Sequence, residues 1–229
     1  FGWDLPKYIH LPLLLNSDRS KLSKRQGDVA VEDYLNKGFL RETLINFVAL
    51  LGWHPKDDQE IFSLEELEKE FSLKRIHKSG AVFDLEKLKW MNSQYLMQLP
   101  LETIVERSIP FYKKAELDTS DKAKLSLIID TARQRVQTLA EMPEASKIYF
   151  SMPDISNENK ELIIAPQNKV LLQKLMERLE NSDNPDGDEF KQLILKAGKE
   201  LSLSGKDLFF PIRTAIYGEP KGPDLPLLF

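Results

Sequence analysis

Cysteine is absent from the 229-residue chain, and histidine is scarce, with three residues. Without cysteine the chain forms no disulfide and offers no thiolate ligand for zinc, and its composition fits a reducing compartment. His10, His54 and His77 are scattered and form no metal-ligand motif. We therefore expect no metal site in this chain.

Two further absences concern membranes and nucleic acids. No apolar run approaches the ~20 residues that a membrane span needs, so we expect a soluble, cytoplasmic protein without membrane contact. A basic excess is also missing, since 32 Lys and Arg oppose 36 Asp and Glu. Any RNA contact must therefore use local basic patches.

The chain also lacks an initial methionine and a signal peptide. It opens with "FGWDLPKYIHLPLLL", which has no basic leader and no small-residue cleavage site. This opening is typical of the middle of a domain whose last strand is "HLPLLL". We expect residues 1–229 to be a piece of a longer protein.

Helical spacing of apolar residues begins after residue 29. It predicts an amphipathic helix over 40–51, with Gly52 as the stop. Ser63 and Glu66 form a capping-box pattern, and Asp84 can cap the helix that follows it. "RIHKSGAVF" between these helices is predicted as a turn or short extended segment.

The second half of the chain has almost no strand signal. Pro100 can open a helix, and Thr119 or Ser120 can cap a long helix through "DKAKLSLIIDTARQRVQTLAEM". Further helices are predicted over 166–179, 187–201 and 208–217. The fold class is therefore mainly α, a small mixed or helical domain followed by a helical bundle or cage.

A basic loop, "SDRSKLSKRQGD", follows the first apolar segment. Arg19, Lys21, Lys24 and Arg25 concentrate positive charge there, and Ser23 stands between the two lysines. Ammonium groups, a hydroxyl and backbone amides together can hold a polyphosphate. A solvated charge run or an import-type basic cluster has the same appearance, so the loop alone leaves these alternatives open.

The surroundings of the loop are more specific. "KLSKRQG", between "HLPLLL" and "YLNKGFLRETLINFVALLGWHP", resembles the signature loop of class I aminoacyl-tRNA synthetases in the form found in bacterial-type glutamyl-tRNA synthetases. "EIFSLEELEKEFSLKRIHKSGAVFDLEKLKWMN", "RQRVQTLAEMP" and "PIRTAIYGEPKGP" continue the resemblance over essentially the whole chain.

The resemblance implies a domain plan. Residues 1–28 would end the catalytic nucleotide-binding domain with the KLSKR loop, and 29–98 would form a stem-contact domain. Residues 99–229 would form a helical anticodon-binding domain, either complete or truncated at its C-terminus.

The resemblance also implies an activity, that of a glutamate–tRNA ligase. Such an enzyme uses ATP and Mg²⁺ to make glutamyl-adenylate and passes the glutamyl group to the 3' end of tRNA(Glu). By similarity, Lys21 and Lys24 contact the ATP phosphates, with support from Ser23 and Arg25. Gln26 stands where the family often shows histidine, so no imidazole role carries over.

One family signature is absent from these residues. No His-Ile-Gly-His-like segment occurs in the chain, and neither does a glutamate pocket of the family's kind. We therefore expect this piece alone not to aminoacylate tRNA, although the parent protein is an enzyme.

Two arginines in "TARQRVQTLAEM" are the candidates for contacting anticodon bases. Guanidinium groups stack on unpaired bases and form forked hydrogen bonds to their edges. On a continuous helix Arg133 and Arg135 lie about 200° apart, so both reach RNA only if the helix ends nearby. We favour Arg135, against the alternative that both are solvated surface residues.

A second basic cluster contains Lys74, Arg75 and Lys78. These residues suit phosphate contacts to a tRNA stem, and a plain solvated loop is the equal alternative. We expect Trp53 and Trp90 to pack in the core rather than to stack on bases. Arg213 either faces RNA or caps a helix C-terminus.

Three functions remain open for the chain. The first is the tRNA-binding and phosphate-loop portion of a monomeric glutamate–tRNA ligase, with tRNA(Glu), L-glutamate and ATP as partners of the parent; a relaxed enzyme that also charges tRNA(Gln) is a variant of it. The second is a non-catalytic synthetase-like tRNA-binding module. The third is a helical scaffold.

Overall fold

The described part of the chain is largely helical. In a computed structural model it comprises residues 2–23, 30–183, 185–222 and 224–228, which contain eleven α-helices and one two-stranded sheet. The mainly α prediction is confirmed. Within these residues no helix has the length and apolar character needed to cross a membrane.

The chain divides into two compact units, Phe1–Ser146 and Lys147–Phe229. These units reflect packing and do not follow the boundaries at residues 28 and 98, which concern function and stay predictions. The first unit contains β1 (Leu14–Leu15), β2 (Ala81–Val82), α1 (Val31–Asn36), α2 (Arg41–Gly52), α3 (Leu64–Glu70), α4 (Leu85–Gln98), α5 (Leu101–Lys114), α6 (Lys122–Arg133) and α7 (Met142–Ala145), with short 3-10 helices at Leu73–Arg75 and Leu139–Glu141.

Three helix starts and stops in this unit follow from local sequence. The predicted helix over 40–51 is α2, which ends at Gly52. Ser63 Oγ accepts from the Glu66 backbone N–H at 3.1 Å, and the Glu66 carboxylate accepts from the Ser63 N–H at 2.7 Å. Asp84 Oδ1 accepts from the second and third N–H groups of α4. These caps satisfy amide groups that a helix start leaves without partners.

The long helix predicted from residue 119 to 142 is wrong in both its cap and its length. Asp121, not Thr119 or Ser120, caps α6 by accepting from Lys124 N–H at 3.0 Å. The helix ends at Arg133, because the backbone beyond it forms hydrogen bonds with distant segments instead of continuing the helical ladder. Apolar spacing predicted burial of Val136 correctly but not its backbone conformation.

The strand predicted at "HLPLLL" is mostly not formed. Only Leu14 and Leu15 pair, in parallel register with Ala81 and Val82, while Leu11 is exposed. Phe83 N–H donates to Leu15 O at 2.8 Å. This short sheet ties the start of the chain to the segment that leads into α4.

One core cluster of the first unit lies between α2 and α4, and two buried asparagines connect the elements around it. Its buried apolar residues are Phe39, Leu44, Phe47, Leu51, Leu88 and Met91. Asn92 Oδ1 accepts from Leu40 N–H at 2.8 Å, and Asn92 Nδ2 donates to Gln137 O at 2.6 Å. Both backbone groups are buried or partly buried, so losing either bond would leave a costly unpaired polar group.

The second asparagine, Asn46, organises a smaller polar cluster. Its Oδ1 accepts from Phe62 N–H at 2.9 Å, and the Tyr95 hydroxyl lies 2.6 Å from both Asn46 Oδ1 and Phe62 O. Burial raises the pKa of Tyr95 to about 12, so the phenol remains a donor at neutral pH. The cluster fixes the segment before α3 against α2 and α4.

Gly38 marks a close approach of two backbone segments. Its φ is +84°, and a Cβ atom on it would lie 2.4 Å from Ala140 N. Its carbonyl accepts from Leu139 N–H at 3.0 Å. Only glycine provides both this conformation and this contact, so the loop before α2 packs directly on residues 139–140.

The second unit is a small helical bundle. It contains α8 (Asn157–Ile164), α9 (Pro166–Glu180), α10 (Gly187–Leu201) and α11 (Gly205–Tyr217), with short 3-10 helices at Lys147–Tyr149 and Leu225–Leu228. Its core residues are Leu171, Leu175, Phe190, Ile194, Ala197, Leu203, Leu208, Ile212 and Leu225. The three predicted helices correspond to α9, α10 and α11, whereas sequence reasoning missed α8, which has Ser156 as its cap.

An ion pair links α2 to α5. Arg107 Nη1 and Nη2 donate to the two carboxylate oxygens of Glu42, each at 2.8 Å. Burial by itself raises the pKa of Glu42, but the hydrogen bonds and charge of Arg107 outweigh it and hold that pKa below its ordinary value. The pair therefore stabilises the fold when Glu42 is ionised.

We expect Glu42→Gln to lower the free energy of unfolding by about 1 kcal/mol at neutral pH. A carboxyl whose pKa is lower in the folded than in the unfolded state contributes stability above its unfolded pKa and loses it as pH falls through the folded pKa. Urea unfolding of wild type and variant should therefore converge in acid. Glu102→Gln, an exposed position on α5, is the control, and a difference that persists undiminished in acid would contradict the ion pair.

Candidate nucleic-acid interface

The first half of the basic loop folds back on β1. Asn16 N–H donates to Ser20 O at 2.8 Å, Leu22 N–H donates to Leu14 O at 3.0 Å, and Lys21 forms an antiparallel bridge with Leu15. Lys21 is exposed. The turn thus places the Lys21 ammonium group beside the short sheet and open to solvent.

Side-chain hydrogen bonds close this turn. The Asp18 carboxylate accepts from Ser20 N–H at 2.8 Å, and hydrogen bonds from the Ser20 side chain and backbone lower the pKa of Asp18. Asn16 Nδ2 donates to Ser20 Oγ at 2.9 Å. Of the predicted phosphate-loop residues, Lys21 and half-buried Ser23 are described; Lys24 and Arg25 lie outside the described residues.

Arg133 binds the end of a neighbouring helix. Its Nη1 lies 3.4 Å from Leu96 O and 3.3 Å from Leu99 O, and its Nη2 lies 2.6 Å from Asp130 Oδ1. The side chain is 15% exposed. A guanidinium group at this position satisfies carbonyls that the C-terminus of α4 leaves unpaired. The geometry favours a structural role for Arg133 over the predicted contact with a base.

Arg135 lies in a different environment, two residues beyond α6. The residue is exposed, and within the described part of the chain its side chain forms no hydrogen bond or ion pair. Its neighbours Ala132 and Val136 are buried. Because α6 ends at Arg133, the angle of about 200° expected between Arg133 and Arg135 on a continuous helix does not apply. Of the two guanidinium groups, that of Arg135 is the one that the described residues leave free to contact a ligand.

The second basic cluster also separates by environment. Arg75 is 16% exposed at its side chain, lies 3.5 Å from Glu70 Oε2 and places its guanidinium 5.2 Å from the ring centre of Trp53. These contacts give Arg75 a structural role. Lys74 and Lys78 are exposed and remain the candidate phosphate contacts of the cluster.

The two tryptophans differ. Trp53 is 1% exposed and packs edge-on against Phe62, which confirms the packing prediction for it. Trp90 is 41% exposed, so the same prediction is wrong for Trp90. Its position on the outer side of α4 explains this difference, since Leu88 and Met91 occupy the core side.

Two histidines that are distant in sequence are neighbours in space. Trp53 and Ile76 form an antiparallel bridge, and the rings of His54 and His77 lie 5.2 Å apart beside it. Sequence spacing carried no signal for this pairing. Across the described ranges, no group of three or more His, Asp or Glu side chains is placed to hold a metal ion.

The second unit contains an open groove of about 520 Å³. Its lining combines aromatic rings and cations: Phe209, Phe210, Lys206, Lys221 and Arg213, together with Gly205, Pro220 and Gly222. Arg213 donates to Gly222 O at 2.8 Å and lies 3.6 Å from Asp224. The guanidinium group of Arg213 is thus engaged by the segment that follows α11 and not by the carbonyls at the C-terminus of that helix, so the helix-cap alternative is not seen among the described residues. The sequence "KDLFFPIR" holds the signal, aromatic and basic residues together, that could have identified the groove.

Two protein families match the chain in succession. Residues 1–90 match "tRNA synthetases class I (E and Q), catalytic domain", and residues 103–229 match "Anticodon binding domain". The two matches together follow the order that the resemblance implies.

Proteins named glutamate–tRNA ligase are similar to almost the entire chain. The one from Alkaliphilus metalliredigens (strain QYMF) is 41% identical over 234 residues, which cover 99% of this chain and 48% of that protein. The one from Clostridioides difficile (strain 630) is 38% identical, with 99% and 47% covered. The chain spans about half the length of these curated relatives.

A solved structure has the same fold. The crystal structure of a glutamate tRNA ligase from Elizabethkingia meningosepticum CCUG26117, in complex with its amino acid, superposes with a TM-score of 0.84 at 32% identity. The alignment covers 100% of this chain and 49% of that one. The architecture described above is therefore shared with about half of that protein.

We expect Arg75→Ala to lower the free energy of unfolding by about 1–2 kcal/mol, because Trp53 loses its cation and Glu70 its partner. Lys74→Ala is the matched control one residue away and should change stability by less than about 0.5 kcal/mol. Urea unfolding compares the two. Equal effects would contradict the structural role of Arg75.

Proposed function

We propose that this chain is the tRNA-binding half of a glutamate–tRNA ligase. Its residues 103–229 belong to the anticodon-binding domain family, and its residues 1–90 match the class I (E and Q) tRNA synthetase catalytic domain. The observation that carries this proposal is 41% identity to a glutamate–tRNA ligase over 99% of the chain. The parent protein would activate L-glutamate with ATP and transfer the glutamyl group to tRNA(Glu).

Lys21, Ser23, Lys24 and Arg25 are proposed to act on the ATP phosphates. The exposed Lys21 beside β1 supports this role, because an ammonium group there can approach a polyphosphate. Cations that bind the leaving pyrophosphate more tightly in the transition state than in the ground state accelerate adenylate formation. Mg²⁺ would accompany ATP in the parent and would neutralise part of the charge on its phosphates.

Arg135 is proposed to read the anticodon. It is exposed, makes no side-chain hydrogen bond or ion pair among the described residues, and lies between buried Ala132 and buried Val136, which restrict the backbone around it. A guanidinium group of this kind can form two hydrogen bonds to a base edge. Lys74 and Lys78 would contact stem phosphates, which set register rather than sequence.

The groove of the second unit suits further unpaired bases. Phe209 and Phe210 line it together with Lys206 and Lys221. Aromatic faces stack on any base, and the cations attract the adjoining phosphates. This combination supports an RNA-binding function over the scaffold alternative.

The first test compares the affinity of this chain for a tRNA(Glu) transcript and for the same transcript with G in place of C at the third anticodon position. We expect tighter binding of the C form, and affinity for both should fall as salt is added. Lys74→Ala should reduce the slope of log affinity against log salt concentration by about one, because one phosphate contact is lost. Equal affinities would mean either a relaxed enzyme that also accepts tRNA(Gln) or a chain that contacts only the RNA backbone, and in both cases Arg135 does not read this base. A flat salt response would contradict RNA binding.

The second test addresses the phosphate loop in the full-length parent. We expect Lys24→Ala, and Lys21→Ala to a smaller extent, to slow ATP–pyrophosphate exchange while tRNA affinity changes little, because the loop acts mainly in the transition state. Lys56→Ala, an exposed position remote from the loop in sequence, serves as the control. Unchanged exchange in both loop variants would favour a non-catalytic tRNA-binding module. We further propose a monomeric, cytoplasmic parent. The cysteine-free composition of this chain supports only the second of these properties, since it fits a reducing compartment.

A further inference from the structure

Arg135 occupies a five-residue segment, 134–138, between α6 and the 3-10 helix at Leu139–Glu141. We call this segment the Arg135 loop. Val136 and Thr138 within it are buried, whereas Gln134 and Arg135 are exposed. The loop therefore presents Arg135 from a backbone that is itself packed into the first unit.

The first end of the loop is held by Arg133. Its guanidinium group contacts the carbonyls of Leu96 and Leu99 at the C-terminus of α4 and the carboxylate of Asp130. A fork of donors that bridges three acceptors restricts both the side chain and the end of α6. The direction in which the chain leaves α6 is thereby set relative to α4.

The second end of the loop is held by Asn92, which also lies on α4. Its Nδ2 donates to Gln137 O at 2.6 Å, while its Oδ1 accepts from Leu40 N–H at 2.8 Å. Gly38 O adds a hydrogen bond from Leu139 N–H at 3.0 Å. Asn92 is fully buried, and its bond to Leu40 N–H is buried while its bond to Gln137 O is partly buried.

We propose that Asn92 and Arg133 are positioning residues that preorganise the Arg135 loop for base recognition. This inference rests on the proposed reading of the anticodon by Arg135. A guanidinium group presented by a restrained backbone loses less conformational entropy on binding and holds its donors at the geometry that distinguishes one base edge from another. One helix, α4, supplies the restraint at both ends.

Asn92 allows a selective test, because its two hydrogen bonds use different atoms. In Asn92→Asp, measured at a pH where the carboxyl group is ionised, a carboxylate oxygen can still accept from Leu40 N–H, but an oxygen without a proton replaces the amide group that donates to Gln137 O. Tyr95→Phe is the matched control: it removes a buried hydroxyl from the same helix, and the contacts of that hydroxyl are with Asn46 and Phe62 rather than with the loop. Arg133→Met releases the other end of the loop and provides an independent variant if Asn92→Asp does not fold.

The measurement is the affinity ratio of the full 229-residue chain for the C-form and G-form transcripts at fixed salt. We expect a wild-type ratio of roughly tenfold, which Arg135→Ala reduces to about one. Asn92→Asp and Arg133→Met should each reduce the ratio at least about threefold and change affinity for the G form little, since backbone contacts remain. Tyr95→Phe should leave the ratio unchanged.

Each other outcome overturns the proposal in a distinguishable way. If Arg135→Ala removes the ratio and both loop variants retain it, Arg135 reads the base without help from Asn92 or Arg133. If Tyr95→Phe lowers the ratio as much as Asn92→Asp and Arg133→Met do, the effect is general destabilisation. If Arg135→Ala retains the ratio, or wild type shows none, both the reading role and its positioning fail, while pyrophosphate exchange by the parent still decides the ligase activity.

Discussion

The side-chain amide of Asn92 makes two hydrogen bonds that an ionised aspartate of the same length could not make together, since it accepts from Leu40 N–H and donates to Gln137 O. Because the side chain is buried, removing either bond leaves a backbone group without its partner at a cost in free energy, which is largest for the fully buried Leu40 N–H. The two bonds therefore fix the positions of three segments relative to one another: the entry into α2, the middle of α4 and the segment after α6. Gly38 extends the same junction by allowing its backbone to touch Ala140.

Polar contacts of this kind recur across the first unit. Asn46 and Tyr95 fix the segment before α3, and Glu42 with Arg107 fixes α5 against α2. Apolar burial supplies most of the free energy of folding but has little direction. Hydrogen bonds between specific atoms supply the direction, which an RNA-binding surface needs if cations on separate elements are to match one ligand.

Three arginines show the limit of predicting a residue's role from its local sequence. Arg75, Arg133 and Arg135 all lie in basic stretches, and their immediate sequence does not show which of them are buried against distant parts of the fold. In the structure Arg75 stacks on Trp53, Arg133 binds the end of α4, and Arg135 is exposed. Their roles depend on partners more than twenty residues away for Arg75 and Arg133, and such partners leave no mark in the spacing of nearby residues.

Local sequence was sufficient to predict the helix caps at Ser63 and Asp84 and the extent of α2, because each depends on neighbours within a few positions. The family could be predicted because it depends on blocks of residues in a given order. The sequence also placed Val136 in the core. Three features depend on the tertiary structure instead: α6 ends at Arg133, the rings of His54 and His77 are neighbours, and Arg135 is exposed. These features depend on contacts between distant segments. Gln137 O, for example, accepts from Asn92 Nδ2, and the two groups come together only when the chain folds.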